Sequence, residues 1–408
     1  MSRIVLGVAG GIAAYKACLL LRLFTEAGHD VQVVPTQNAL QFVGETTWAA
    51  LSGNPVHTSV MADPHLVNHV RLGREADLVV VAPATADLIA RAASGRADDL
   101  LTNVLLTATC PVVLAPAMHT EMWLHAATQA NVALLRTRGV VVLEPAVGRL
   151  TGADSGSGRL PEPGDIEASA LAALAEPGVA ASMSSRDLAG RRVLISAGGT
   201  REPIDPVRFV GNNSSGLMGV ALARAAVQRG AEVTLVCANL GVEPPAAVRV
   251  VSVVSTGELS TAMAAEAASA DIVVMAAAPA DFTPVEPSAT KLKKAGDSGL
   301  TVEFRQTPDV LAGLVARRPP TQVVIGFAAE TASDEAELVT LGTAKLARKG
   351  CQLLVLNNVS GGAVFGSPDN QVLLLGPSGV LGRAAGTKTT VAHAIWDAAI
   401  TVNEGKSA

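Results

Sequence analysis

Two adjacent glycines near the start of the chain, Gly10 and Gly11, lie between a short apolar run and a helical stretch. The free backbone N–H groups at the start of such a helix can bind a phosphate group. The spacing is not G-x-G-x-x-G, and the next strand, VQVV at 31–34, does not end in the acidic residue that would bind a ribose hydroxyl. This pattern favours a mononucleotide phosphate over NAD. A tight turn alone would account for the glycines equally well.

Two later segments place small and polar residues at the point where an apolar strand ends. Pro83-Ala84-Thr85-Ala86 follows one such strand, and APAMHT at 115–120 repeats the design at the next. His69 lies at the start of a helix before the first of these strands. A histidine can transfer protons near neutral pH or orient a carboxylate, although taken alone His69 could simply cap a helix at the surface.

The second half of the chain contains an arrangement suited to binding anions. Its segment 195–219 reads ISAGGTREPIDPVRFVGNNSSGLMG, so a helix is predicted to start near Ser214-Ser215-Gly216, with Arg208 nearby. Further along, KLKK at 291–294 follows the Ala280-Asp281 pair. Lysines beside a carboxylate suggest a site that binds a triphosphate and its metal ion. A run of charged residues is, however, more commonly a solvent-exposed loop.

The elements that must position these residues are apolar strands alternating with helices. Strands are predicted at 3–9, 31–34, 77–82, 111–115 and 140–143, and again at 191–199, 231–237, 248–253, 271–275, 322–327 and 352–356. Continuous apolar strands separated by helices predict parallel sheets covered on both faces. We therefore predict an α/β protein with two Rossmann-like, three-layer domains. Ligands of such sheets bind outside the carboxyl ends of the strands.

A change in composition separates the two halves. The stretch GRLTGADSGSGRLPEPGD, at 148–165, is rich in Gly, Ser and Pro, as expected of a loop, and a short helix is predicted at about 165–175. We predict a first domain at 1–165, a linker at 166–187 and a second domain at 188–408. The halves share a layout without an obvious residue-level repeat, which indicates two different nucleotide-binding domains.

Composition excludes several classes of protein. Lys+Arg 31 against Asp+Glu 36 gives a net charge of −5, and aromatic residues are only 3%, so binding to nucleic acid is not expected. No apolar run approaches the roughly 18 residues of a membrane span, and the N-terminus does not resemble a signal peptide. The four cysteines form no CxxC pair, so neither a disulfide framework nor a zinc site is implied. We expect a cytoplasmic protein.

The motifs of the first half together resemble the flavin-dependent cysteine decarboxylase family over nearly all of residues 3–160. The resemblance implies a flavodoxin-like fold that binds FMN across these loops, at the subunit interfaces of a trimer. The positions that match the family's flavin contacts are Gly10, Gly11, Ile12, Thr36, Ala84, Thr85 and Met118. His69 matches the family's active-site histidine.

This half departs from that family in two places. The family usually reads PAMN, with an asparagine that hydrogen-bonds the substrate carboxylate, where this chain has His119. It also usually carries a proton-donating cysteine on a mobile flap, whereas the flap here reads LTGADSGSGRL and the matching slot is near Gly152. His119 can still hydrogen-bond a carboxylate. Either another group supplies the proton, or this half is impaired.

The second half resembles the phosphopantothenate–cysteine ligase family along almost all of residues 188–403. The resemblance rests on the ordered set of MAAAPADF, KLKK, QTPDVL, GFAAET and KLARK. It implies that CTP, with Mg²⁺ near Asp281, lies among Ala277, Asp281, Lys291, Pro308, Asp309, Val310, Leu311, Phe327, Lys345 and Lys349. Arg208 and Asn212 would act on the activated acyl group, and Lys291 on the developing phosphate charge. Leu217 replaces the lysine that this family usually has.

The order of the two halves resembles the bifunctional coenzyme A biosynthesis family of bacteria. The resemblance implies CTP-dependent ligation of 4′-phosphopantothenate to cysteine, followed by FMN-dependent decarboxylation to 4′-phosphopantetheine. It also implies a homo-oligomer with trimeric contacts through the first half and dimeric contacts through the second, compatible with a dodecamer.

Three alternatives remain open from the sequence. The missing flap cysteine supports a ligase whose flavin-binding half is not catalytic. A non-enzymatic binding subunit is disfavoured by the complete ligase motif set. An NAD-linked oxidoreductase is disfavoured because no acidic residue ends the second strand.

Overall fold

The computed structural model describes residues 1–61, 67–149, 155–245, 247–293, 299–360, 367 and 369–404. Contacts divide the chain into a first unit, Met1–Asp187, and a second unit, Leu188–Ala408. Within the described residues, every helix is either too short or too polar to cross a membrane.

The first unit is built on a five-stranded sheet. Its strands are β1 (Arg3–Val8), β2 (Asp30–Pro35), β3 (Leu78–Ala84), β4 (Val112–Pro116) and β5 (Val141–Val142), and a separate hairpin follows from β6 (Ala146–Arg149) and β7 (Ser155–Arg159). The sheet order is β2-β1-β3-β4-β5 and all its neighbours are parallel. This is the flavodoxin-like order, and its direction reverses between β1 and β3. The predicted parallel sheet and its five strands are confirmed.

In the described part of the first unit, nine α-helices surround this sheet and its hairpin. They are α1 (Ala14–Glu26), α2 (Glu45–Ser52), α3 (Asn68–Glu75), α4 (Ala86–Ser94), α5 (Leu100–Thr107), α6 (Thr120–Leu124), α7 (Ala126–Thr137), α8 (Pro163–Ala175) and α9 (Pro177–Ser185). Successive side chains of a strand face opposite sides of the sheet, so the sheet has a core on each face. Ile4 and Leu6 of β1 pack with α1, α2, α8 and α9 on one face. Val5 packs with α3, α4, α5 and α7 on the other. Three layers result, as predicted.

The segment 166–187 is not the linker that we predicted. It forms most of α8 and all of α9, and Ile166, Ala170 and Met183 are at most 1% exposed in the first core. A proline at the first turn, Pro163, suits the start of a helix, and the small side chains of α8 allow close packing. The helix predicted at about 165–175 is α8, and it begins within the last residues of the polar, glycine-rich stretch.

The second unit is built on an eight-stranded sheet. Its strands are β8 (Arg192–Gly198), β11 (Glu232–Ala238), β12 (Arg249–Val253), β13 (Ile272–Met275), β16 (Val323–Glu330), β17 (Leu353–Asn358), β18 (Asp369–Gly376) and β19 (Gly379–Thr387). Two short antiparallel ribbons lie outside this sheet: β9 (Arg201–Pro203) pairs with β10 (Phe209–Gly211), and β14 (Phe282–Pro284) pairs with β15 (Phe304–Gln306). The order is β12-β11-β8-β13-β16-β17-β18-β19, parallel except at its last two strands. The Rossmann-like order reverses between β8 and β13. The six predicted strands are confirmed, and the two antiparallel strands were not predicted.

Among the residues described for the second unit, five α-helices cover the two faces of the sheet: α10 (Leu217–Gln228), α11 (Thr256–Ala267), α12 (Val310–Arg317), α13 (Glu335–Lys349) and α14 (Lys388–Glu404). Ile195 packs with α10 and α14 on one face, and Leu194 packs with α11, α12 and α13 on the other. The fully buried indole of Trp396 donates to the Leu222 carbonyl oxygen at 3.1 Å, so its polar atom is satisfied.

Candidate active sites

A cavity of about 960 Å³ opens at the carboxyl edge of the first sheet. It is lined by the loops that follow four strands: Ala9–Ala13 after β1, Thr36–Asn38 after β2, residues 83 and 85–87 at the end of β3, and Ala117–His119 after β4. This is the switch-point crevice that the sequence predicted. Of the predicted flavin contacts, Gly10, Gly11, Ile12, Thr36, Thr85 and Met118 line it. Ala84 is fully buried within β3 and does not.

One end of this cavity is formed by the start of α1. No side chain caps this helix at Ala13, and the Ala14 and Lys16 N–H groups donate to the carbonyl oxygens of Gly11 and Ala13 at 2.9 and 3.0 Å. A Cβ atom at Gly10 would lie 2.3 Å from the Cβ of Asn38, so only glycine allows the two loops to approach this closely. Lys16 also lines the cavity, and its ammonium donates to the Glu162 carboxylate at 3.1 Å. These features suit a phosphate group.

Two threonines fix the neighbouring loops of this cavity. The Thr85 hydroxyl accepts a hydrogen bond from the Leu88 N–H at 3.3 Å and so caps α4. The Thr36 hydroxyl accepts from the Ala39 N–H at 3.3 Å, at the short helical turn after β2. Both side chains therefore shape the walls that a flavin would contact.

The opposite side of the first cavity contains His119 and the hairpin of β6 and β7. His119 is exposed at the start of α6 and lines the cavity with Arg149 and Arg159. The Met118 N–H donates to the Gly158 carbonyl oxygen at 2.9 Å, which joins the hairpin to this loop. Gly152, the position matching the flap cysteine, lies outside the described residues.

None of the four cysteines lines this cavity in the part of the chain that the structure describes. Cys110 is partly buried against the core formed with α3, α4, α5 and α7. Burial raises the pKa of the Cys110 thiol to about 11. Such a thiol is protonated at neutral pH, but Cys110 does not line the cavity.

His69 does not line the cavity of its own chain. It is the second residue of α3, and its backbone carbonyl accepts a hydrogen bond from the Thr107 hydroxyl at 2.8 Å. Its Nδ1 atom is buried with no hydrogen-bond partner among the described residues. One copy of the chain thus brings together the predicted flavin contacts and His119 but not His69.

A second cavity, of about 720 Å³, opens at the carboxyl edge of the second sheet. It lies beside the switch point between β8 and β13. Ten of the predicted residues line it: Asn212, Ala277, Asp281, Pro308, Asp309, Val310, Leu311, Phe327, Lys345 and Lys349. Residues from five separate segments of the sequence therefore meet at one site, as the motif order predicted.

Paired charges form one wall of the second cavity. The Lys345 ammonium lies 2.7 Å from the Glu330 carboxylate, and Lys349 pairs with Asp309. Asp309 also caps α12 by accepting a hydrogen bond from the Ala312 N–H at 3.0 Å. Burial acts to raise the pKa of Asp309, but the Lys349 ammonium and the Ala312 N–H outweigh it, so the pKa is lowered. Each of the two lysines of this wall is therefore paired with a carboxylate.

The start of α10 forms another wall of this cavity. Ser214, Ser215 and Gly216 line it, and the Ser215 hydroxyl accepts a hydrogen bond from the Leu217 N–H, the first of the helix, at 3.5 Å. Gly216 has φ +79°, and a Cβ atom there would lie 2.2 Å from the Leu240 side chain, so glycine is required. The Asn212 amide donates to the Pro279 carbonyl oxygen at 2.8 Å, which holds its side chain at the cavity.

Two predicted catalytic residues lie beside each other but not in this lining. The Arg208 guanidinium is 2.6 Å from the Asp205 carboxylate and 3.1 Å from the Leu292 carbonyl oxygen. The Leu292 N–H donates to the same buried carboxylate at 3.1 Å. Lys291, next to Leu292, is exposed. Asp205 therefore ties Arg208 to the lysine segment, and Lys294 falls outside the described residues.

Among the described residues, no group of three or more His, Cys, Asp and Glu side chains is arranged to hold a metal ion. Asp281 is exposed at the edge of the cavity. A single carboxylate fits a magnesium ion that arrives with its ligand's phosphates, because Mg²⁺ is commonly bound through one or two carboxylates plus substrate oxygens.

Comparison with known proteins decides the family of this chain. A flavoprotein family model matches residues 1–174, and a model of the DNA/pantothenate metabolism flavoprotein C-terminal domain matches residues 188–402. The coenzyme A biosynthesis bifunctional protein CoaBC of Mycobacterium tuberculosis is 54% identical over 412 residues, which cover 99% of this chain and 98% of that protein. The chain belongs to the CoaBC family.

Other CoaBC proteins agree along the whole chain. That of Mycolicibacterium smegmatis is 54% identical over 402 residues, covering 97% of this chain and 96% of its own length. That of Vibrio parahaemolyticus is 41% identical over 400 residues, covering 97% of both. The resemblance predicted from the motifs is confirmed for both halves and for their order.

Three residues of the second cavity were missed from the sequence of this CoaBC protein. Asn357, Asn370 and Lys388 all line it, and each is 8% exposed. Asn357 lies near the carboxyl end of β17, so the strand-end rule could have found it. Asn370 and Lys388 lie on β18 and at the start of α14, around an antiparallel hairpin for which the sequence offered no signal.

Proposed function

We propose that this CoaBC protein catalyses two successive reactions. In the second unit, 4′-phosphopantothenate is joined to cysteine at the expense of CTP through an acyl-cytidylate. In the first unit, the 4′-phosphopantothenoylcysteine product is decarboxylated to 4′-phosphopantetheine with FMN as cofactor. The observation that supports this most strongly is that both cavities lie at sheet switch points and are lined by nearly all residues that match the two families' sites.

Ligation begins when the carboxylate of 4′-phosphopantothenate attacks the α-phosphate of CTP and pyrophosphate leaves. CTP lies along the wall of Pro308–Leu311 and Phe327, where Lys345 and Lys349 offset its negative charge. Asn212, held by its bond to Pro279, hydrogen-bonds the mixed anhydride. The amine of cysteine then attacks the acyl carbon and releases CMP.

Arg208 and Lys291 act from the segment beside this cavity. Asp205 holds the Arg208 guanidinium and the backbone N–H of Leu292, next to Lys291. The two cations, Arg208 and Lys291, act on the negative charge that grows on the transferring phosphate and on the leaving pyrophosphate. Mg²⁺ arrives bound to CTP, and Asp281 supplies its protein carboxylate.

The first cavity fits FMN by its size, its uncapped helix start and its four loop walls. Bound FMN supplies the two-electron chemistry of the decarboxylation. The start of α1 at Gly10 and Gly11 binds the cofactor's phosphate. His119 hydrogen-bonds the substrate carboxylate that leaves as CO₂, and His69 transfers a proton.

The position of His69 supports a homo-oligomer. The exposed side chains Ile12, Tyr15 and Leu19, at 70%, 57% and 52% exposure, follow one helical face, and the first two also line the flavin cavity. We infer that a second copy of the chain covers this face and places its His69 against the cavity. A trimer through the first unit results.

A dimer through the second unit is supported by exposed aromatic residues on its two ribbons. Phe209, Phe282 and Phe304 are 53%, 53% and 41% exposed on β10, β14 and β15. Trimeric and dimeric contacts together are compatible with a dodecamer.

The two halves of this proposal can be tested separately on the purified chain. The first predicts a yellow protein that releases oxidised FMN on denaturation. The second predicts release of pyrophosphate from CTP when 4′-phosphopantothenate and Mg²⁺ are present and cysteine is absent. A protein that cannot be loaded with flavin contradicts the first half, and a pyrophosphate yield independent of 4′-phosphopantothenate contradicts the second.

A further inference from the structure

Lys388 is a buried cation that faces the second cavity. It begins α14, is 8% exposed and belongs to the cavity lining. Its ammonium donates to the carbonyl oxygen of Asp369 at 3.1 Å and to that of Ser367. Both acceptors are uncharged. An ammonium has three N–H donors, so these two bonds leave one donor for another partner.

The surroundings of Lys388 join it to the start of α10. Asn370, next to Asp369 in the chain, accepts a hydrogen bond from the Asn357 amide at 2.6 Å, and its own amide lies 3.6 Å from the Met218 sulfur. Met218 is the second residue of α10, whose start lines the same cavity. Lys388 and this helix start therefore belong to one polar end of the cavity.

The charge of Lys388 is poorly compensated. Within the described ranges, no carboxylate lies within ion-pair distance of its ammonium. Burial lowers the pKa of Lys388, and the more distant Asp369 carboxylate acts in the opposite direction without cancelling this effect. A buried cation without a charged partner is costly, and an anionic ligand at this end of the cavity would remove that cost.

We propose that Lys388 is a ligand-binding residue of the ligase site and contacts a phosphate group there. The inference rests on the proposed function, because it takes the second cavity to be the site of ligation. Two substrates could provide that phosphate: the triphosphate of CTP and the phosphate of 4′-phosphopantothenate. The chemistry recognised is the same in both cases.

The test compares phosphorylated and unphosphorylated ligands on the Lys388→Met variant of the full chain. Affinities are measured for 4′-phosphopantothenate against pantothenate, and for Mg²⁺–CTP against cytidine. Lys388→Met should weaken binding of one phosphorylated ligand by about ten- to a hundredfold, as expected for a hydrogen bond to a charged group. The affinity for the unphosphorylated counterpart should be unchanged. The ligand pair in which only the phosphorylated member loses affinity identifies the substrate whose phosphate Lys388 contacts.

Two controls separate this role from a structural one. Lys388→Arg keeps the charge and should retain most of the affinity. Arg249→Met removes a cation from β12, outside the cavity lining, and should have no effect on either pair. An equal loss for phosphorylated and unphosphorylated ligands would show that Lys388 only holds the Ser367–Asp369 backbone, and would overturn the inference.

Unchanged affinities in Lys388→Met would overturn it as well. Failure of the proposed function has a different signature. In that case the wild-type chain itself would bind neither 4′-phosphopantothenate nor Mg²⁺–CTP.

Discussion

His69 is the residue whose role depends most on a second copy of the chain. Its Nδ1 atom lacks a partner among the described residues, and it does not line its own cavity. His69→Asn should block decarboxylation, because an amide cannot exchange a proton near neutral pH. Ligation, which takes place in the other unit, should continue. Mass spectrometry should therefore show accumulation of 4′-phosphopantothenoylcysteine, and CO₂ release at the wild-type rate would refute the assignment.

Lys291 tests the electrostatic part of the ligase proposal. A fixed ammonium stabilises charge on a transferring phosphate far better than a neutral amide does, so Lys291→Gln should slow pyrophosphate release by on the order of 10²–10³. Lys293→Gln is the matched control, since Lys293 is also exposed on the same segment. Equal effects of the two substitutions would mean that the KLKK segment is only a solvated charged loop.

Site residues could be predicted from the sequence where they follow a parallel strand. The residues after β1, β2, β3, β4 and β13, and those near the carboxyl end of β16, obey this rule and line the two cavities. Lys388 was not predicted because it lies at the start of a helix that follows an antiparallel hairpin, where the rule for parallel strands does not apply. The position of His69 outside its own cavity could not be predicted either. A sequence does not show whether a side chain faces the cavity of its own chain or that of a second copy.

The loop between β1 and α1 determines whether the first cavity can hold a flavin. A Cβ atom at Gly10 would lie 2.3 Å from Asn38, so Gly10→Ala should displace the wall after β2 and release the cofactor. Gly164→Ala is the control, because a Cβ atom there meets nothing within 4 Å. The measurement is the ratio of visible flavin absorbance to protein absorbance. Full flavin occupancy in Gly10→Ala would contradict the placement of the cofactor.

The exposed face of α1 makes a prediction about assembly. Leu19→Glu places a charge on the apolar face and should break the trimeric contact, which lowers the molar mass measured by light scattering and reduces flavin retention. Leu134→Glu, on α7 of the same unit, changes a leucine that is 40% exposed and should leave the mass unchanged. An unaltered mass for Leu19→Glu would place the subunit contact elsewhere.

Elements with a strong apolar signal could be predicted, and elements without one could not. Every strand of the first sheet and the six parallel strands of the second are apolar runs. β19 reads GVLGRAAGT and is largely exposed, so it lacks both an apolar run and a clear alternation. The segment 166–187 was misjudged for another reason: its alanines and serines favour close packing of α8 without standing out as a core.

The whole molecule combines two Rossmann-like units with different strand orders and different cavities. The boundary at residue 188 was predicted because a second strand–turn–helix pattern begins there. Such a pattern can be recognised in a single sequence. The first part of the flap, residues 150–154, lies outside the described residues. The central claim is that one chain performs both reactions.

That claim is tested most directly by following all products of one incubation of the flavin-loaded chain. The substrates are 4′-phosphopantothenate, cysteine, CTP and Mg²⁺. We predict CMP, pyrophosphate, CO₂ and 4′-phosphopantetheine in equal amounts, because each ligation product passes to decarboxylation. CMP and 4′-phosphopantothenoylcysteine without CO₂ would contradict the account and indicate a ligase with a non-catalytic flavin-binding half.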